Sequence, residues 1–220
     1  MKKMKLSLLA VALMVATAVS AQVSFGIQGG ANLSNMMHNA EGFSTNPKFG
    51  FNAGVLTDIG LTHNMGIRSG LFFTTKGMRE EVSVAGFADR PGGLLDDDFT
   101  ATTNLMYLQI PIHFAYKVDV MPGTRIVFHA GPYVAYGIGG SVRVNGERLE
   151  DATIFGDEGG FKPFDFGLGI GVGFEFGRFL TGIGWDMGLL NIANDNGNGN
   201  GNGGVSFRNQ NAHLTVGFRF

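Results

Sequence analysis

Cysteine is missing from this sequence altogether, and charged residues are scarce. Without cysteine there can be no disulfide, no thiolate metal ligand, no cysteine nucleophile and no lipid-modified cysteine. Charged residues make up 15% of the chain, against about 25% in a typical soluble protein. The formal net charge of −2 and the scattered Lys and Arg form no basic patch, so no nucleic-acid partner is expected. The shortage of charge indicates that much of the surface does not face water.

Long apolar runs are also lacking, apart from one near the N-terminus. Lysines precede an uncharged apolar run at residues 6–19, and a small-residue cleavage site follows at Ala21. This order predicts a cleavable signal peptide at residues 1–21 and a single mature domain at residues 22–220. The run is shorter than the roughly 20 residues that a membrane helix needs, and polar residues or glycines interrupt every later candidate.

Glycine and phenylalanine are abundant, with 36 and 20 residues. Eight stretches of about ten residues alternate apolar residues with small or polar ones. The clearest runs from Met106 to Val118, where Gln109, His113 and Lys117 separate apolar residues. Since lipid-exposed backbone must satisfy its hydrogen bonds internally, a closed barrel is the remaining way to span a bilayer. The sequence therefore predicts an all-β fold, an eight-stranded antiparallel up-and-down transmembrane β-barrel.

Period two alone leaves open which face of the barrel points inward, because a soluble lipocalin-like barrel alternates as well. In each strand here, one row of alternating side chains (the apolar file) is apolar, and the other row (the glycine file) is largely glycine, which would make a poor water-facing surface. We therefore expect the apolar file to face lipid and the glycine file to face the lumen. Short connections at residues 61–64, 119–124 and 177–178 alternate with long ones, which predicts one periplasmic rim and one external rim.

Three segments resemble a known family. Asn104–Lys117 resembles the "YLEIPLLLKY" segment of the PorT-like outer-membrane β-barrel family, although Gln109 stands where that family usually has Glu. His129–Tyr136 is similar to its "AGPYxxY" segment, and Phe164–Gly177 to its "FDFGLxxGxGxEFG" strand. The resemblance implies a porin-like integral protein in the outer membrane of a Gram-negative-type bacterium. It implies little about a substrate.

The chain ends on an aromatic residue, Phe220, which continues the apolar file of the last strand. The resemblance implies that this strand is an assembly signal read by the barrel-assembly machinery. The alternative is that Phe220 only anchors the aromatic girdle at the membrane interface.

Polar side chains gather on the inner file. We expect a lumen polar network formed by Arg68, Lys76, Gln109, His113, Lys117, Asp165, Glu175, Asp186 and Arg219, with His129 and His213 on the same file. Each charge in a low-dielectric interior needs a partner, so a salt-bridged plug is expected, with a polar or proton-conducting path as the alternative.

Pro111 and Pro132 lie inside predicted strands, where a proline usually marks a β-bulge.

No catalytic, cofactor or metal site is predicted. The loop histidines His38 and His63 fall at opposite rims, which disfavours a hydrolase. The cluster Asp96–Asp98 could hold Ca²⁺, but EF-hand spacing is absent and a solvated loop is expected. Residues 194–204 form a low-complexity Asn-Gly repeat.

The predicted function is non-enzymatic: a structural or interaction barrel, embedded in outer-membrane lipid, that acts through its extracellular loops. Its extracellular or envelope protein partner is not identified by any motif, since loops carry binding specificity. The alternatives are a narrow porin-like channel for small solutes and a rim-sited lipid-modifying enzyme.

Overall fold

The computed structural model of the chain describes residues 23–39, 45–82, 99–149, 153–156, 159–194 and 206–220. The predicted signal peptide, the Asp96–Asp98 cluster and the Asn-Gly repeat beyond Asn194 lie outside these residues. Within them, no helix combines the length and the apolar character needed to cross a bilayer.

The structure is built from strands, which are β1 (Val23–His38), β2 (Thr45–Asn46), β3 (Lys48–Gly60), β4 (Met65–Val82), β5 (Phe99–Met121), β6 (Thr124–Val144), β7 (Glu147–Arg148), β8 (Phe164–Phe176), β9 (Phe179–Gly188) and β10 (Phe207–Arg219). The eight long strands pair antiparallel in the order β3-β1-β10-β9-β8-β6-β5-β4, and β4 pairs with β3 again. The sheet closes on itself, which confirms the predicted eight-stranded antiparallel barrel. The short strands β2 and β7 extend β4 and β6 at one end.

Closure joins the first strand to the last. The β1–β10 ladder runs from Gly26 opposite Arg219 to His38 opposite Phe207, and β1 pairs with β3 on its other side. Beyond the last strand, the amide of Phe220 donates to the carbonyl of Phe25 at 2.9 Å. The backbone groups of the wall are thereby paired within the sheet, as a lipid environment requires.

The two files of side chains separate as predicted. On the apolar file, Ile170 and Val216 are 56% and 64% exposed, whereas Lys76, Tyr107 and Tyr133 on the other file are at most 1% exposed. A soluble barrel would bury the apolar file in its interior. The outward apolar band is the surface that a transmembrane barrel presents to lipid.

Short and long connections alternate around the barrel. Residues 61–64, 122–123 and 177–178 form the short turns at one end, and the other end carries the long connections. At the long-connection end the strands run further than expected: β1 reaches His38, and β6 reaches Val144. The wall therefore extends beyond its apolar band at that end.

The prediction of bulges at Pro111 and Pro132 is wrong. The β5–β6 register is the same at Pro111–Tyr133 and at Phe114–Ala130, and it shifts instead between Met106 and Tyr107 and between Asp119 and Met121. The β6–β8 register is continuous through Pro132. The Ser69 hydroxyl donates to the Pro111 carbonyl at 2.7 Å. Proline removes one donor from the ladder, but the neighbouring pairs hold the register here.

Candidate functional site in the lumen

Five charged side chains meet in the lumen at the short-turn end: Asp58, Arg68, Lys117, Glu175 and Arg219, here called the lower network. Arg68 Nη2 donates to Asp58 Oδ2 at 2.8 Å and to Glu175 Oε1 at 2.6 Å. Lys117 Nζ donates to Asp58 Oδ1 at 2.6 Å, and Arg219 Nη2 donates to Glu175 Oε2 at 2.9 Å. Each carboxylate thus contacts two cations, with Arg68 shared between them, so every buried charge of this network has an oppositely charged partner.

Asp58 is the member of this network that the sequence analysis did not name. It is 2% exposed and bonds both Arg68 and Lys117. Its position on the polar file of β3, in step with Gly54 and Asn52, was the available signal. Without Asp58, Lys117 would lose its carboxylate partner, and Arg68 would keep only Glu175.

Above the lower network lies a cavity of about 90 Å³ inside the barrel. Its polar lining includes Gln28, Asn52, Gln109, Asp186 and Asn211. A site for one water needs roughly 10–15 Å³, so the cavity has room for several waters. The middle of the lumen is therefore polar but narrow.

Three histidines of the inner file, His113, His129 and His213, line this cavity. The His113 and His129 rings stack with centroids 5.1 Å apart, and their Nδ1 atoms are separated by 3.0 Å. One of these two nitrogens must carry the proton and donate to the other. A Cβ on Gly171 would come within 2.5 Å of the His129 ring, and one on Gly184 within 2.4 Å of His213 Nε2. Glycines on the facing strands therefore make room for the imidazoles.

Asp186 lies beside this histidine cluster. Gln109 Nε2 donates to Asp186 Oδ2 at 3.0 Å, and His213 Nδ1 is 4.0 Å from the same oxygen. Across the described part of the chain, no three His, Asp or Glu side chains are grouped so that they could hold a metal ion. The arrangement can exchange protons and hydrogen bonds, and it contains no activated nucleophile.

A single ion pair occupies the lumen above the cavity. Lys76 Nζ lies 3.2 Å from Asp165 Oδ2, and both side chains are fully buried. Tyr133 Oη donates to the same carboxylate oxygen at 3.2 Å, and Asn209 Nδ2 donates to it at 2.9 Å. Lys76 Nζ also lies 4.3 Å from the Tyr133 ring centroid and 5.3 Å from that of Tyr107. These contacts replace part of the water that both charges lost on burial, while Asp165 Oδ1 has no hydrogen-bond partner among the described residues.

The long connections close the barrel mouth above this pair with an apolar cluster, here called the loop plug, formed by Ile154, Phe155, Phe161 and Ile192. It packs on Tyr107, whose ring meets Phe155 edge to face at 5.5 Å. Backbone bonds hold it: the amide of Phe161 donates to the Ile154 carbonyl at 3.0 Å, and that of Ile192 to the Phe207 carbonyl at 2.9 Å. No pattern in the sequence predicted this plug.

The structure brings the predicted lumen residues together in three levels. Arg68, Lys117, Glu175 and Arg219 lie in the lower network, Gln109, His113 and Asp186 line the cavity, and Lys76 and Asp165 form the upper pair. The tyrosines that enclose the upper pair were not named as part of the network. Bulky aromatic residues on a file of glycines were the signal that could have pointed to them.

The two rim histidines lie at opposite ends of the barrel. His38 ends β1 at the long-connection end, whereas His63 lies in the short turn after β3 and contacts Asp119 Oδ2 at 2.8 Å. Neither belongs to the lumen site.

Comparison with known proteins agrees with this architecture. Residues 16–194 match the family model described as the outer membrane protein beta-barrel domain. The chain belongs to this family. It is therefore an integral outer-membrane β-barrel, and its long connections mark the extracellular end.

Solved structures similar to the chain include small outer-membrane proteins. Ail, the attachment invasion locus protein of Yersinia pestis, is 11% identical, with a TM-score of 0.43 over 90% of this chain and 99% of that one. OprG of Pseudomonas aeruginosa is 12% identical, with a TM-score of 0.46 over 90% and 95%. A major outer membrane protein of Thermus thermophilus is 14% identical, with a TM-score of 0.47 over 90% and 100%. No curated protein matches the chain.

Proposed function

We propose that this protein is a closed barrel that acts through its extracellular end, as a structural or interaction module of the outer membrane. The observation that supports this proposal is the double closure of the lumen. The lower network obstructs the periplasmic end, while the upper pair and the loop plug obstruct the extracellular end. A solute would have to displace paired charges at one end and an apolar cluster at the other.

The loop plug also favours an interaction role. Part of the long connections is an ordered platform, because the Asn194 side-chain amide donates to the carbonyls of Gly156 and Gly159 at 2.6 and 2.9 Å. Binding loops on a rigid scaffold lose less conformational freedom when a partner docks. The partner in this proposal is an extracellular or envelope protein.

The motif segments at residues 104–117, 129–136 and 164–177 support placing the chain among the PorT-like members of the family. Catalysis is not part of the proposal, since the histidines of the two rims cannot meet. Barrel-assembly machinery is the expected partner during insertion, with Phe220 at the end of the signal that it reads.

Planar-bilayer recording tests the closed barrel against the narrow-channel alternative. We expect the refolded protein to give no discrete conductance steps. Replacing Tyr107 and Phe155 with Ala removes bulk above the upper pair, and Phe218→Ala, on the outward file, is the control that leaves the lumen unchanged. The proposal is contradicted if the unaltered protein gives steady conductance steps. Steps of the same size from Phe218→Ala and larger steps from the double variant would then establish the channel.

A further inference from the structure

Three arginines stand in one row across the wall at its extracellular end. Arg79 of β4 pairs with Thr102 of β5, Thr102 pairs with Arg143 of β6, and Arg143 pairs with Arg148 of β7. Directly paired residues lie on the same face of a sheet. Arg79, Arg143 and Arg148, here called the arginine row, therefore project from one face within a width of a few strands.

This face is the outside of the barrel. Met78 and Thr103, the chain neighbours of Arg79 and Thr102, are 3% and 8% exposed and belong to the inner file. Because successive side chains alternate, Arg79 and Thr102 point outward. The three arginine side chains are exposed.

Among the described side chains, the arginine row differs from the lumen arginines and from Arg125 in having no acidic partner, a property that it shares with Arg208, which is exposed on β10. Arg68 and Arg219 in the lumen and Arg125 at the periplasmic rim all form ion pairs. Among the described side chains, none forms an ion pair with Arg79, Arg143 or Arg148. In sequence, Glu80 and Glu81 follow Arg79 and Glu147 precedes Arg148, but Glu80 and Glu147 alternate to the face opposite the row.

The height of the row places it at the lipid headgroups. On β5, the outward apolar file ends at Met106, and Thr102 is four residues further out. At about 3.3 Å per residue and a tilt of roughly 40°, this is about 10 Å above the apolar band. A long arginine side chain can extend down along the wall toward the interface, so its guanidinium reaches the polar headgroup layer.

We propose that the arginine row binds the phosphate groups of a phosphorylated lipid in the outer leaflet. Guanidinium groups bind phosphate through paired, charge-assisted hydrogen bonds, and three of them within two or three strand spacings of about 4.8 Å can hold a doubly phosphorylated headgroup. The row faces sideways, above the lipid-facing wall, and so meets lipid before it meets any partner docked on the loops. The site is independent of the interaction role proposed above.

Lipid retention measured by native mass spectrometry tests this site. The barrel is refolded in phosphatidylcholine bilayers that contain lipid A with two phosphates or the same lipid after dephosphorylation. We expect the unaltered protein to retain the phosphorylated lipid about tenfold more, and the triple variant R79Q/R143Q/R148Q to retain both lipids equally.

The control, R125Q/R178Q, removes two cations at the short turns of the opposite end and should stay within about twofold of the unaltered protein. Replacing the row with Lys keeps the charge but loses the paired geometry, so retention should be intermediate. Heat-dependent gel mobility checks that each variant is folded, and R143Q alone serves if the triple variant is not. The proposal is overturned if the row variant retains phosphorylated lipid as the unaltered protein does. It is equally overturned if the row variant loses only the binding of a soluble sulfated polysaccharide, because the row would then bind soluble polyanions and not a lipid of the outer leaflet.

Discussion

The two faces of strand β8 are built by different rules. Outward, Leu168 and Ile170 are about half exposed to the surroundings of the barrel, at 47% and 56%. Inward, Asp165 is fully buried against Lys76, and Gly171 leaves the space that the His129 ring occupies. Lipid requires only that a side chain be apolar, whereas the lumen requires a particular size and a particular partner at each position.

Because of this difference, a small substitution in the lumen should reduce stability more than a larger substitution on the lipid face. One methyl group added in the lumen should cost more than an exchange of large apolar residues on the lipid face. The lumen is close-packed, and lipid chains adapt their shape.

The largest effect is expected at the upper pair. Asp165→Asn keeps a hydrogen-bond acceptor but leaves Lys76 as a buried charge without a counter-ion. The free energy of unfolding should fall by about 3–5 kcal/mol. Urea unfolding of the barrel refolded in lipid vesicles measures this change.

The double variant Lys76→Met/Asp165→Asn is the control for this prediction. Because it removes the uncompensated charge, it should recover most of the lost stability. If the single and double variants lose the same amount, the ion pair is not what Asp165 supplies.

A charge placed on the lipid face should have the next largest effect. Ile170 pairs with Ala130, which pairs with Phe114 near the middle of the apolar file. Ile170→Arg should therefore lower the free energy of unfolding by about 2–4 kcal/mol, as at a bilayer midplane. Ile170→Leu should cost less than about 1.5 kcal/mol. A fluorophore at position 170 that reports water would show that this face does not contact lipid.

A single methyl group in the lumen gives the sharpest test of the comparison. Gly171→Ala forces the His129 ring to move and should cost about 1–3 kcal/mol in the same unfolding assay. Adding His129→Ala should relieve the clash with the ring but not the one with the Ile183 carbonyl oxygen, 2.9 Å from the same Cβ, so the two changes should be partly non-additive. A neutral Gly171→Ala would mean that the lumen adapts as readily as lipid does.

The smallest change in stability is expected at the end of the chain. Phe220 is 69% exposed, and its ring lies 6.1 Å from that of Phe218. Deleting Phe220 removes an exposed ring and one backbone hydrogen bond to Phe25, so the thermal stability of refolded protein should fall by only about 1 kcal/mol. The amount assembled in the membrane should fall much further, because the assembly machinery loses its signal. If thermal stability and the amount assembled in the membrane fall in proportion, Phe220 acts only as part of the aromatic girdle.

The alternation of side chains along each strand predicts which residues lie in the lumen, but not which of them contact each other. Alternation alone places Arg68 and Lys117 inside the barrel, and a buried cation needs a carboxylate there for electrostatic reasons. Which carboxylate they share depends on the stagger between strands. Asp58 and Lys117 lie on β3 and β5, with β4 between them, so no local pattern connects them.

By itself, the sequence determined the strand number, the lipid-facing file and the alternation of short and long connections, because side-chain alternation and turn length are local properties of the chain. Only the tertiary structure decided the register at the prolines, the partners of each lumen charge and the loop plug. These depend on contacts between residues far apart in sequence. Ile154 and Ile192 enter the plug only because the closed barrel brings their two connections to the same mouth.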